Sequence, residues 1–255
     1  MGVQSMNARQ FSVCLIVLGI SVFALACGGR GSVRSGSAKP SLDPLRGSYV
    51  FFANGSDPRK GDYFVAGSLT ADGRGNLTGV EDLKRGSVVD SAVELEGTYQ
   101  LDSSGTVHAT LTDGSEMVAT MIFTIPSGAT KASFLYDGTG TGTVQRQTTT
   151  GFSNVGKFDF KLSGQGEEGE ASASGSFTTA ATGEISAGSE EFEDGIFSRT
   201  TDALTGQLGT QLGRGRGIAI IGLHKFSYYV VSPNQIILAG LDRSTSLSGT
   251  ATTAQ

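Results

Sequence analysis

Several groups in the chain have residue types and spacings that suit chemistry. Asp72, Gly73, Gly75 and Asn76 supply the oxygens and glycines of half a calcium loop. A complete loop puts oxygen ligands at positions 1, 3 and 5 and a glutamate at 12. Here position 3 is Arg74, and a second copy of the motif has Ala180-Ala181 in its place, so the stretch reads as turn chemistry. Two acidic runs, Glu167-Glu168-Gly169-Glu170 and Glu190-Glu191-Phe192-Glu193-Asp194, could gather on one rim. They would there bind a divalent cation or pair carboxylates for hydrolysis. Their glycine neighbours offer no rigid ligand geometry, and a solvated acidic rim is the simpler reading. His108 and His224 do not occupy equivalent places, and a metal site needs more convergent ligands than one imidazole. Gly213-x-Gly215-x-Gly217, with Arg214 and Arg216, is not a dinucleotide fingerprint and reads as a hairpin turn that opens a strand; its two cations are free to touch an acidic partner. With no Gly-x-Ser-x-Gly elbow, nucleophilic catalysis has no candidate. The expectation is of no catalytic residue, no metal and no cofactor.

The N-terminus speaks of export. Phe11 to Ala26 is an apolar run of sixteen residues behind the single cation Arg9. It is short of the roughly 20 residues of a membrane span and suits a secretory signal. Ala24-Leu25-Ala26-Cys27-Gly28 resembles a bacterial lipobox, with Ala24 where the pattern prefers Leu. The resemblance implies cleavage before Cys27 and acylation of Cys27. Gly28 rather than Asp after it implies sorting to the outer membrane, on either its periplasmic or its surface face. The other reading of the same residues is an ordinary secreted chain with Cys27 free. The only other cysteine, Cys14, departs with the signal, so the mature chain has neither a disulfide nor a cysteine metal site. Gly28 to Pro44 is a Gly/Ser-rich tether, with a reach of roughly 20–25 Å for its seventeen residues.

The mature chain carries about −6, the −5 of the whole chain less Arg9. It has no basic cluster, which argues against nucleic acid. An acidic surface also leaves membrane attachment to the lipid.

Residues 45–255 read as β throughout. Glycine is abundant, 38 of 255, without collagen's period and with only five prolines, as in chains of short strands and tight turns. Val93, Leu95, Tyr99 and Leu101 alternate with Glu94, Glu96, Thr98 and Gln100; Phe158, Phe160 and Leu162 alternate with Lys157, Asp159 and Lys161. A strand sorts such residues onto two faces, which a helix would scatter. In Met117–Ile125 both faces are mildly apolar, which predicts a strand covered on both sides. Asp72-Gly73, Asp113-Gly114 and Asp137-Gly138 mark hairpins.

The pattern occurs twice. GSLTADGRGNLTG from Gly67 returns as GSFTTAATGEISAG from Gly175, and Gly47-x-Tyr49-x-Phe51 returns as Gly156-x-Phe158-x-Phe160. This divides the chain into a signal (1–26), Cys27 with its tether (27–44), module 1 (45–147) and module 2 (148–255). Each module holds about eight sequential strands, the second set near 156–163, 170–178, 183–190, 198–208, 215–222, 225–232, 235–241 and 247–254. A meander of eight strands removes its two open edges by closing on itself. The expected fold is all-β, two tandem antiparallel up-and-down barrel-like modules, with one larger two-sheet sandwich as the alternative.

Leu45-x-Gly47-x-Tyr49-x-Phe51, GSLTADGRGNLTG and Leu95-Glu96-Gly97-Thr98-Tyr99 resemble a family of uncharacterised secreted or lipid-anchored β-repeat proteins of acidobacteria. The opening Gly-x-aromatic and later Gly-Thr-Tyr are more loosely similar to the eight-stranded barrels of lipocalins and avidins. The first resemblance implies fold and export and no activity.

Tyr49, Phe51, Phe158 and Phe160 are then either core rings or the lining of an internal ligand site. Three functions follow. The first is a non-catalytic envelope lipoprotein with a structural or binding role toward an envelope protein or small ligand. The second is a carrier of a small apolar ligand, which needs a pocket of about 300 Å³ or more. The third is a carboxylate-dependent hydrolase.

Overall fold

The computed structural model describes residues 45–255 except Lys60, Ser115, Glu116, Ser127, Ser153, Asn154 and Gln255. The signal segment, Cys27 and the tether lie outside the described residues. The described residues form seventeen strands and no helix. The first eight are β1 (Arg46–Asp57), β2 (Gly61–Asp72), β3 (Asn76–Arg85), β4 (Val88–Leu101), β5 (Val107–Thr112), β6 (Met117–Phe123), β7 (Lys131–Tyr136) and β8 (Gly140–Arg146). They pair in sequence, and β1 with β8 (Tyr49 opposite Arg146 through Asn54 opposite Thr141) closes the barrel.

The second barrel consists of β9 (Gly156–Gln165), β10 (Glu170–Thr179), β11 (Glu184–Asp194), β12 (Phe197–Thr201), β13 (Gly206–Leu208), β14 (Arg216–Ile221), β15 (His224–Ser232), β16 (Gln235–Gly240) and β17 (Ser246–Thr253). Here β9 pairs with both β10 and β17, and β10 pairs with β11, so this sheet also closes. The strand expected over 198–208 is two pieces, β12 and β13, both laid against β11. Apart from this break the repeat holds in topology: β3 and β11 start 108 residues apart (184 − 76), the offset between the two glycine motifs. The architecture is two closed barrels, not one larger sandwich.

Alternation decides what fills each barrel. Tyr49, Phe51 and Ala53 turn inward, where Phe51 packs against Phe134 and Tyr136 at ring distances of 6.2 and 6.4 Å. Phe158 and Phe160 turn inward in the second barrel, both against Phe177 at 5.5 and 5.9 Å. Gly67 has to be glycine for this packing: a Cβ there would stand 2.5 Å from the Phe51 ring and 2.6 Å from the Val80 carbonyl oxygen. The strand of Met117–Phe123 is not covered twice, since Ile122 on its outer face is 39% exposed.

A third apolar cluster joins the barrels. Outer-face residues of the first, Val50, Phe64, Ala66 and Val80, meet Tyr229, Val231, Ile237 and Ala239 of the second, with Phe52 packed alongside. The polypeptide crosses the seam at Gln147 and Thr148. There the Gln147 amide donates to the carbonyls of Val230 (2.6 Å) and Arg214 (3.1 Å), and the Thr148 N–H donates to Val231 O.

In the second barrel, Asp159 and Ser172 hold the places of Val50 and Phe64. The double substitution Val50→Asp, Phe64→Ser is therefore expected to keep both barrels and weaken the seam, at a cost of about 4 kcal/mol or more. Scanning calorimetry should then resolve two transitions in place of one; a single unshifted transition would count against the seam as the coupling element.

Candidate functional site

The densest set of buried ionisable groups lies on β3. Its pairing with β4 shifts register between Glu81 and Leu83. The extra residue lies on β4, at Ser91–Ala92, and β3 keeps its alternation: Val80, Asp82 and Lys84 face the second barrel while Glu81 and Leu83 face the first barrel's interior. Val80, Glu81, Asp82, Leu83 and Lys84 are all buried, at 1–5% exposure. Two consecutive carboxylates thereby reach two different environments.

Glu81 points into the first barrel, where the Tyr136 hydroxyl donates to its Oε2 at 3.3 Å. Burial pushes its carboxyl up to about 7; the Tyr136 hydrogen bond and the Arg85 guanidinium only partly oppose this. Burial, and then the charge of Glu81, raise the Tyr136 phenol in turn. Tyr63 completes the group: its hydroxyl donates to Tyr136 O at 3.1 Å, and Arg85 sits 5.9 Å over its ring. A carboxyl that exchanges its proton near neutrality next to a phenol is suited to proton transfer. This one is 1% exposed, inside a packed core.

Asp82 points into the seam. It accepts from Arg216 twice (Nε 2.9 Å, Nη2 2.7 Å), from Tyr229 Oη (2.5 Å), from Ser91 Oγ (2.6 Å) and from the Ala92 N–H (2.9 Å). Burial alone would raise its carboxyl; the hydrogen bonds from Arg216, Ser91 and Tyr229 outweigh it and hold the group below the usual range. A forked guanidinium–carboxylate contact fixes orientation as well as distance, so this network sets the register of one barrel on the other. Beside it Lys84 Nζ donates to the carbonyls of Asp242 and Thr245 (2.8 Å to the latter), and burial lowers its ammonium.

The second barrel has its own buried groups. Glu190, expected in a solvated rim, is 2% exposed and accepts from Arg199 at 2.9 Å. Asp194 of the same run accepts the N–H groups of Glu167 and Glu168 and so pins the β9–β10 turn. Arg199 and His224 both lie on the Phe192 ring, at 5.2 and 5.1 Å from its centroid. His224 is buried and pairs through Nδ1 with Asp242 at 3.3 Å.

The remaining sequence candidates are placed as follows. The Asp72 carboxylate accepts from the Arg74 and Asn76 N–H groups and the Asn76 amide, which makes it the pivot of a turn. His108 is exposed on β5, 3.4 Å from Asp102. Arg216 meets its acidic group within the chain, at Asp82, and Arg214 reaches Thr78 Oγ1 at 3.0 Å. Tyr49 and Phe51 share one core, Phe158 and Phe160 the other; all four are at most 7% exposed. Two concavities of about 400 and 420 Å³ lie elsewhere: one between Ser87–Val89 and Leu241/Arg243, the other on the outer face of β3–β5 around Thr78, Thr98 and Thr110.

Glu81 and Asp82 escaped sequence reasoning, although Glu81-Asp82-x-Lys84-Arg85 within a strand was a legible signal. Four charges in five residues do not suit a strand with one wet face unless some are buried and paired.

No family model matches the chain, and no curated protein matches it. Two crystal structures are similar in outline. Kievitone hydratase from Nectria haematococca is 8% identical, with 86% of this chain and 94% of that one covered and a TM-score of 0.28. A protein of unknown function from Nostoc punctiforme is 10% identical, with 82% and 96% covered and a TM-score of 0.22. At such scores neither bears on what this chain does.

The adjacent acids impose opposite pH dependences. Glu81 is raised in the fold, so its contribution is fully present below the unfolded value near 4.5 and is lost as pH rises through about 7. That is roughly 3 kcal/mol across the window, at about 1.36 kcal/mol per pH unit. Asp82 is depressed, so its contribution is present above the unfolded value near 3.8 and is lost as pH falls below it. Urea titrations between pH 5 and 8 should show stability falling with pH in the parent and nearly flat in Glu81→Gln; equal slopes would refute the assignment. Asp82→Asn strands the buried Arg216 charge and should cost about 3–5 kcal/mol at pH 7, read from the same titrations.

Proposed function

We propose that this protein is a non-catalytic envelope lipoprotein that binds through its outer surface, its two barrels forming one rigid body carried on a lipidated Cys27. The observation that carries the reading is the filling of both interiors by the chain's own rings. Phe51, Tyr136, Phe158, Phe177 and Tyr228 are each at most 1% exposed, in the space where a carrier would hold its ligand. The buried ionisable groups support it as well. Asp82 and Glu190 each have a guanidinium partner, and Glu81 is enclosed, so among the described residues these three buried carboxylates form no pair on an open cleft. Export and anchoring rest on the apolar leader and the lipobox around Cys27.

Native mass spectrometry of the full protein released from cell membranes tests both halves. The expected mass is that of a chain starting at Cys27 with acyl groups, and with no small molecule retained after gentle activation. Cys27→Ser should lose incorporation of labelled palmitate and leave the membrane fraction. A stoichiometric apolar ligand, or membrane association unaffected by Cys27→Ser, would sink the reading.

A further inference from the structure

The two barrels meet the same topological problem and solve it differently. In the first, the opening part of β4 (Val88–Val93) pairs with β3 alone, because β5 joins β4 only from Glu96 onward. In the second, β12 pairs with β11 alone, and β14 is joined by β13 instead. Each barrel thus extends a hairpin arm with one open edge.

The arm of the first barrel is exposed too, Val88 at 59%, but it is contacted by the second barrel. Ser91 accepts from Arg216 of the second barrel, and Val88 and Val89 share a concavity with Leu241 and Arg243. Ala92, at a φ of +57°, breaks the run of the edge. The arm of the second barrel has none of these devices. Ile196 is 100% exposed and Phe197 52%, and Ser198 and Thr200 are exposed as well. Natural edge strands are blunted by lysine, proline or a bulge. Ile196–Thr201 contains no lysine or proline, its pairing with β11 is regular, and its one charge, Arg199, is engaged by Glu190. The two-residue turn Gly195-Ile196 closes on the pair Asp194 and Phe197. Antiparallel alternation then turns the N–H and C=O groups of Ser198 and Thr200 away from β11, toward the open side.

The surroundings define what would fit. Glu193 and Glu191 stand opposite Ser198 and Thr200 in the ladder and are exposed. The turn carrying Glu167 and Glu168 is tied to the same hairpin through Asp194. The edge therefore combines free backbone groups, an apolar tip and a carboxylate row. We propose that β12 is a docking edge for an extended segment of another protein in which Lys or Arg alternates with apolar residues, added as a further antiparallel strand. A second copy of this chain fits less well, since it would bring two such carboxylate rows together on chains of net charge −5. The proposal deepens the surface-binding role above and does not depend on lipid attachment, so the two can fail separately.

The test uses the full chain in an uncharged detergent. The probe is a fluorescein-labelled peptide, Lys-Val-Lys-Val-Lys-Val-Lys, followed by anisotropy and by amide exchange with and without peptide. Saturable binding is expected, with protection gained at Ser198 and Thr200. Thr200→Pro, which removes an open-side N–H, should weaken it by about tenfold or more. The same peptide N-methylated at alternate residues keeps its charge and should bind equally poorly, which secures the result if Thr200→Pro fails to fold. Glu191→Lys with Glu193→Lys should transfer preference to the Glu-Val analogue. Three results would overturn the proposal: equal binding of the methylated peptide, protection confined to other strands, or free protein in which β12 is already protected in a concentration-dependent dimer.

Discussion

The seam between the barrels is the constraint on which the rest of the structure turns. An eight-stranded barrel of about 100 residues can bury its inner face alone, but its outer face is normally wet. In the first barrel, β1–β3 carry Val50, Phe52, Phe64, Ala66 and Val80 outward. These side chains would make an exposed apolar patch were it not for Tyr229, Val231, Ile237 and Ala239 across from them. The second barrel holds Asp159, Lys161, Ser172 and Ser174 at the corresponding places on β9 and β10, and these are polar. The two copies of one barrel topology therefore differ on the outer face, apolar at the seam in the first and polar at the corresponding places in the second.

The middle of β3 links this seam to the chemistry of the buried acids. Strict alternation sends Glu81 and Asp82 to opposite faces of β3. With the second barrel covering the outer face, both faces are dry, and each carboxylate needs its own solution. On the core side burial outweighs the Tyr136 hydrogen bond and the Arg85 charge, so Glu81 takes up a proton near neutrality. On the seam side the second barrel supplies Arg216 and Tyr229, so Asp82 stays ionised. One doubly covered stretch of β3 therefore holds a polar lock between the barrels on one face and an acid protonated near neutrality on the other.

Strand order, barrel closure and the two-fold repeat were legible in the sequence because they rest on local signals: alternation of two, Asp-Gly turns and glycines that recur at an offset of 108. Inward-facing rings such as Phe51 and Phe158 were legible for the same reason. What escaped depends on contacts remote in sequence. Asp82 and Arg216 are 134 residues apart, and nothing near either residue announces the other. Glu190 lay in a run of four acids that looks solvated, yet its neighbour across the hairpin, Arg199, makes it a buried ion pair. The break between β12 and β13 was hidden as well, because the residues over 198–208 read as one strand whether or not its first half has a neighbour on each side.

That break is also where the two copies differ most in consequence. A splayed arm is built into this barrel, since β4 shows it without interruption. In the first copy the arm is held against the second, where Arg216 donates to Ser91 Oγ and Asp82 accepts the Ala92 N–H. Among the described residues nothing plays that part for the second copy, and its β9–β10 face is polar where the first copy's seam is apolar. A sequence selected only for solubility would be expected to place lysine, proline or a bulge along such an edge. Instead it keeps Ile196 and Phe197 in water beside a row of carboxylates, an arrangement that costs solubility and is understandable where the edge is used.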